Sequence, residues 1–229
     1  LTDLITNVIQ FPSNGSTTPG YLARPTYAGP HRGVVLIQEW WGLVPHIEEV
    51  ARRFARSGFV ALAPDLFHGE TATEPDEAKK LAMSLDRERV LQEIAAAAKF
   101  LKGMDQVAPK WMGVVGWCMG GGLAISSVAY SGDFAAAVAF YGRPLSPSDI
   151  PRIQAPLLGI YADEDHSIPA TWIQEFDHQL NEYHIPHEFI TYPGTRHAFF
   201  NDTRPEVYSE NAARDAWDRT LAWLRMHLG

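Results

Sequence analysis

A cysteine, an aspartate and a histidine, met in that order along one chain, supply what covalent acyl transfer requires: a nucleophile, an orienting acid and a proton carrier. The chain has a single cysteine, Cys118, set in Gly116-Trp117-Cys118-Met119-Gly120 with Gly121 and Gly122 following. This is the G-x-S-x-G form of a nucleophile elbow with sulfur in place of oxygen. A tight strand-to-helix turn of that kind strains the central residue and lifts its side chain above the sheet. Glycines two before and two after leave room for neighbouring backbone. The helix that starts there aims free N–H groups and its positive dipole end at the thiol. Alone, the pentapeptide also suits a buried structural thiol. The dinucleotide fingerprint G-x-G-x-x-G is absent.

The partners belong later in the chain. Asp163-Glu164-Asp165-His166 follows the apolar run 157–161, and Gly194-Thr195-Arg196-His197 follows the run 187–192. In an open parallel sheet, sites form where the carboxyl ends of strands meet. The order nucleophile, acid, histidine is the one this layout needs.

Apolar runs at 34–37, 59–63, 111–117, 135–141 and 157–161 read as strands covered on both faces, and 187–192 as a last strand. Helical periodicity appears over 45–57, where Ile47, Val50, Ala51 and Phe54 share a face. It recurs over 86–102, from Cys118 through Ala129, around Trp172, Phe176 and Leu180, and over 204–227. Strands alternating with helices imply right-handed crossovers and the α/β class, with a mostly parallel central sheet and helices on both faces. The turn-rich stretches 13–20 and 142–156 read as loops within one domain, 1–229, and not as linkers.

Composition narrows the function. Nineteen Lys and Arg against 27 Asp and Glu give a net charge of −8 with no basic run, so nucleic acid and anionic membranes are poor partners. No stretch approaches the roughly 20 apolar residues of a membrane span, and no leader is evident, so the expected compartment is the cytoplasm. One cysteine excludes intrachain disulfides and CxxC metal pairs. His184 and His187 have H-x-x-H spacing but flank Pro186, and no H-E-x-x-H occurs, so neither a metal nor another cofactor is expected.

The segments QEWWG (38–42), PDLFHG (64–69), GWCMGG (116–121), DEDHSIPA (163–170) and YPGTRHAFFNDTRP (192–205) resemble the dienelactone hydrolase family of α/β-hydrolases, in family order over nearly the whole chain. The resemblance implies the α/β-hydrolase fold and a triad of Cys118, Asp165 and His197. Asp165 is preferred to Asp163 because it stands four residues before Pro169. The resemblance further implies an oxyanion hole from the N–H groups of Met119 and Trp40, and a Glu39 that hydrogen-bonds the resting thiol and moves aside when substrate binds. One family arginine that grips a substrate carboxylate falls four residues after the histidine, where this chain has Asn201. Residues 76–83 supply Lys79 and Lys80 but no arginine. A less polar ester or lactone therefore suits a pocket of Asn201 with the aromatics Trp40, Trp41, Phe67, Tyr141, Phe199 and Phe200, and at least half of those aromatics are expected to be core.

The activity expected is hydrolysis of activated carboxylic esters or enol lactones through a cysteinyl thioester, on small molecules with short acyl groups, by a monomer or weak homodimer. Two alternatives remain at this point. One is a promiscuous aryl carboxylesterase or phosphotriesterase with no dienelactone role, and the other a redox-sensing thiol on a non-catalytic scaffold.

Overall fold

The computed structural model describes residues 3–229. Eight strands build one sheet: β1 (Leu4–Ser13), β2 (Ser16–Pro25), β3 (Arg32–Ile37), β4 (Phe59–Pro64), β5 (Met112–Trp117), β6 (Phe134–Phe140), β7 (Leu157–Ala162) and β8 (His187–Tyr192). Six helices accompany them: α1 (Pro45–Arg56), α2 (Pro75–Ser84), α3 (Arg87–Lys102), α4 (Met119–Tyr130), α5 (Ala170–Glu182) and α6 (Glu210–His227). The strand order is β1-β2-β4-β3-β5-β6-β7-β8. From β4 to β8 all neighbours run parallel, and β2 pairs antiparallel with both β1 and β4.

Strand side chains alternate between faces, so a strand buried on both sides feeds two cores. In β3, Val34 and Leu36 join α1 and α6 through Ile47, Phe54, Ala216 and Leu224. Val35 and Ile37 point the other way, into the core of α3, α4 and α5 with Ile94, Leu101, Val128 and Phe176. Helices therefore cover both faces of a mostly parallel sheet, as the alternation of apolar runs predicts.

The amino-terminal hairpin corrects the reading of 13–20 as a loop. Only Asn14 and Gly15 form the turn, with φ of 52° and 72°, the two positive values that an Asn-Gly hairpin turn requires. Ser16 onward pairs with β1. Position 5–10 of β1 is mostly exposed, with Val8 79% accessible, so this edge strand has no apolar run to announce it. The last helix also starts later than expected, at Glu210 and not at 204. Pro205 disfavours the helical region for Arg204, and 198–209 forms successive turns instead. Among the described residues, no helix is long and apolar enough to cross a membrane.

Candidate active site

β5 runs into α4 through Cys118, whose φ of 56° and ψ of −117° lie in a region that non-glycine residues rarely occupy. Such a conformation costs of order 1–3 kcal/mol and persists only where the surroundings enforce it. Here the Cys118 N–H donates to Phe140 O at 3.0 Å, and its carbonyl accepts from Gly121 and Gly122 at 3.0 and 3.3 Å. A Cβ on Gly116 would collide with the Gly120 carbonyl group, and one on Gly120 with the carbonyls of Ile37 and Gln38. The two flanking glycines thus let α4 press against β3 and β5 while the thiol stands half-exposed above the sheet.

Asp165 follows β7 and is buried. Its Oδ1 accepts from the N–H groups of Ser167 and Ile168 at 2.7 and 3.1 Å, which leaves Oδ2 to accept from His197 Nδ1 at 2.6 Å. Asp163 has a different task. It accepts from the Thr195 N–H at 3.1 Å and so ties the histidine's loop to the loop after β7. Tyr141 packs on the His197 ring with centroids 4.8 Å apart. Burial alone would lower the basicity of His197, but hydrogen bonding to Asp165 and Cys118 and the charges of both outweigh it. They raise the imidazole from 6.5 to about 10.

Glu39 lies in the loop after β3 and is 2% exposed. Its Oε2 accepts from Asn201 Nδ2 at 2.7 Å, and the Tyr141 hydroxyl stands 3.5 Å from Oε1, a long contact. Thr203 orients the Asn201 amide, since its N–H and hydroxyl both donate to Asn201 Oδ1, at 3.0 and 2.6 Å. The resemblance led to Glu39 bonded to the resting thiol; here its hydrogen-bond partners are Asn201 and Tyr141. Burial, with the charges of Glu39 and Cys118, holds the Tyr141 hydroxyl well above its usual range, so it stays protonated.

A cavity of about 320 Å³ opens above the thiol. Of the residues expected around it, Glu39, Trp40, Trp41, Cys118, Met119, Tyr141 and His197 line it. Met119 is the first residue of α4, where helix geometry leaves its N–H without an intrahelical acceptor. The Trp40 N–H is in the loop after β3 and has no acceptor among the described residues.

Four expected pocket residues are not in its wall. Phe67 is 6% exposed and packs inward. Phe199 lies between Tyr141 and Tyr192, at centroid distances of 5.8 and 5.3 Å. Phe200 packs on Phe140 at 4.8 Å and on Trp117 at 5.8 Å. Both rings fill the core because the turn after His197 folds back over the α6 face of the sheet. Asn201 sits behind Glu39, bonded to it through the side chain and, through the backbone, to Ala198 and Arg204 of the wall.

In their place the wall gains Ala82 from α2, Ser167, Ile168, Ala198 and two arginines, Arg143 and Arg204. The guanidinium of Arg143 lies over the Trp172 ring at 4.9 Å, and that of Arg204 over the Trp41 ring at 5.7 Å. Glu206 braces Arg204 at 2.9 and 2.8 Å. The position of the family arginine is Asn201 here and 76–83 has none, so the wall takes its arginines from 143 and 204 instead. Arg143 follows a strand end, the same positional logic that singles out Asp165 and His197, and Arg204 stands seven residues after the histidine.

The sequence profile described as the dienelactone hydrolase family matches residues 18–228. A relative from Aquifex pyrophilus, called protein usf, is 35% identical over 96% of this chain and 98% of its own length. A second, from Aquifex aeolicus, carries the provisional name carboxymethylenebutenolidase and is 31% identical over 96% of this chain and 98% of its own. A crystal structure from Klebsiella pneumoniae, described provisionally as a dienelactone hydrolase, superposes with a TM-score of 0.90 at 30% identity, covering 97% of this chain and 99% of that one. With an elbow cysteine, a bonded aspartate–histidine pair and this likeness along nearly its whole length, the chain belongs to the dienelactone hydrolase family and is an α/β-hydrolase enzyme.

Proposed function

We propose that this hydrolase cleaves activated carboxylic esters or enol lactones through a thioester on Cys118. The observation that carries the reading is the 2.6 Å bond between Asp165 and His197, whose ring lines the same cavity as the Cys118 thiol. In the first half-reaction the Cys118 thiolate adds to the carbonyl carbon. The C–S bond forms and the carbonyl electron pair moves to oxygen, where the Met119 and Trp40 N–H groups receive it. Collapse breaks the C–O bond, and the protonated His197 ring gives its Nε2 proton to the leaving oxygen. In the second, His197 takes a proton from water as the hydroxide adds to the thioester, and the C–S bond breaks to return the thiolate. Asp165 holds the ring in one tautomer throughout.

Leaving-group chemistry selects the substrate. A thiol has a pKa of about 8.5 and a phenol about 10, whereas a simple alkoxide leaves as the base of an acid near that of water, about 16. A tetrahedral intermediate from an alkyl ester expels sulfur and reverts; one from an enol or aryl ester goes forward. The guanidiniums of Arg143 and Arg204 favour a substrate that carries negative charge. A redox thiol on a non-catalytic scaffold leaves the Asp165–His197 bond without a purpose.

The test is intact-mass spectrometry during turnover of a p-nitrophenyl ester. The expected result is an adduct of one acyl group on the wild-type chain and none on Cys118→Ala. Cys118-independent turnover, or turnover with the label on another residue, overturns the thioester route.

A further inference from the structure

A second and larger cavity, of about 650 Å³, lies beside the catalytic one. The two share Met119 and Arg143 as a common wall. Beyond that wall most of the exposed lining is apolar, from Leu123 of α4, Leu145 and Pro147 of the loop after β6, and Trp172 and Phe176 of α5. Arg87, Ser126, Ser146, Glu175 and Gln179 supply its polar part. Trp172 is 41% exposed, so its indole is open to a molecule entering the cavity. Arg143 lies across that indole at 4.9 Å and has no ion-pair partner among the described residues. Arg143 lines both cavities, with its guanidinium stacked on the indole.

We propose that this second cavity receives the apolar, aromatic acyl arm of the substrate, with Arg143 and Trp172 as the gate it passes. The inference rests on the proposed thioester chemistry and names its substrate more narrowly. The reasoning is one of directions. In a tetrahedral intermediate on Cys118 the oxyanion points at the Met119 and Trp40 N–H groups, and the leaving oxygen must face His197. The acyl arm takes the direction that remains. The second cavity adjoins the first at Met119 and Arg143, and His197, which the leaving oxygen must face, lines only the first. The acyl arm is therefore the part of the substrate assigned to it. Two aromatic side chains and two prolines suit a flat ring better than a polar group. An arm housed between α4 and α5 is longer than the short acyl groups expected from the sequence, and a comparison of two esters tests one against the other.

The test compares p-nitrophenyl 3-phenylpropanoate with p-nitrophenyl acetate, which share a leaving group and differ in the arm. Two independent variants fill the cavity: Leu123→Trp at a half-buried position and Ser146→Trp at an exposed one. The expected result is a phenylpropanoate-to-acetate ratio of kcat/KM that falls about tenfold or more in each variant that folds, on the scale of a lost apolar subsite. An unchanged ratio overturns the proposal. A hydrolysis-free arm keeps it separate from the thioester reading: calorimetry of 3-phenylpropanoate binding to Cys118→Ala protein, with and without Ser146→Trp. Saturable binding that the added indole abolishes supports the subsite even if neither ester is turned over. Binding that the indole leaves intact, or no binding, refutes it even if both esters are.

Discussion

Asn201 donates its side-chain amide to Glu39 at 2.7 Å, across 162 positions of sequence and out of contact with solvent. Because Thr203 occupies the amide oxygen with two hydrogen bonds, the NH₂ group has only one direction to point. A carboxylate in the wall of the catalytic pocket is thus held by a neutral donor whose own orientation is fixed.

Asn201→Ala removes that donor and leaves a buried carboxylate with one long contact. The expected loss of stability is about 1–3 kcal/mol, read as a lower urea midpoint with unchanged slope. Asn201→Asp sets a second carboxylate against Glu39 and loses at least as much. A variant as stable as the wild type in both cases disproves the role assigned to the amide.

The raised basicity of His197 sets a pH dependence. The ring titrates near 10 in the fold against 6.5 for an unperturbed imidazole. Below 6.5 it is protonated in both the folded and unfolded chain, and its contribution to stability is fully present. Between 6.5 and 10 the unfolded chain releases the proton first, so that contribution is lost as pH rises. Unfolding free energies at pH 6 and pH 9.5 are expected to differ more for the wild type than for His197→Gln. In Asp165→Asn, imidazole NMR titration is expected to show a lower midpoint, and turnover falls by about a thousandfold or more as the ring loses its fixed tautomer.

Leaving-group dependence is the sharpest kinetic expectation. For one acid, the p-nitrophenyl ester is expected to exceed the ethyl ester in kcat/KM by about a hundredfold or more, the low end of what general-acid assistance contributes. Equal rates contradict a thiolate nucleophile.

The two arginines make a prediction about charge. Arg204→Met is expected to raise KM about tenfold for an aryl ester that carries a free carboxylate, the scale of one charge-assisted hydrogen bond, and to change KM for the neutral analogue by far less. Equal effects on both esters mean that Arg204 serves only to brace Trp41.

The elbow glycines differ in what they tolerate. Gly120→Ala drives a methyl into two backbone carbonyls of β3 and the loop beyond, and is expected to lower stability by about 1–3 kcal/mol or more. Gly122→Ala is the comparison, because its added carbon meets the Arg143 carbonyl at 3.3 Å, a contact that a small shift relieves. Similar thermal denaturation of the two variants refutes the packing argument.

Cys118, Asp165 and His197 were legible because each stands within a few residues of a strand that announces itself by an apolar run. The parallel strands and most helices were legible for the same reason: burial on both faces leaves a dense periodic signal. Residues in turns carry no such period. Half of the six candidate aromatics are core, as expected, but nothing in the run Ala198-Phe199-Phe200-Asn201 says which side chains those are, and all three, Phe67, Phe199 and Phe200, lie in such turns. Arg143 was overlooked although it follows β6, because a lone arginine in a proline-rich loop has no pattern. The hairpin of β1 and β2 is faint in the sequence although Asn14-Gly15 marks its turn: β1 is an exposed edge strand, and β2, though mostly buried, opens on the polar and turn-forming Ser16-Thr17-Thr18-Pro19-Gly20.

The chain holds one sulfhydryl, and it stands at the mouth of the cleft where the chemistry is proposed. A thiol-reactive chromophore applied to the native protein therefore counts competent centres in a preparation, with no second reactive group to dilute the reading. The same solitude is a liability: a single oxidising event at that atom removes the molecule from the working population, and no neighbouring cysteine is present in the chain to rescue it as a disulfide.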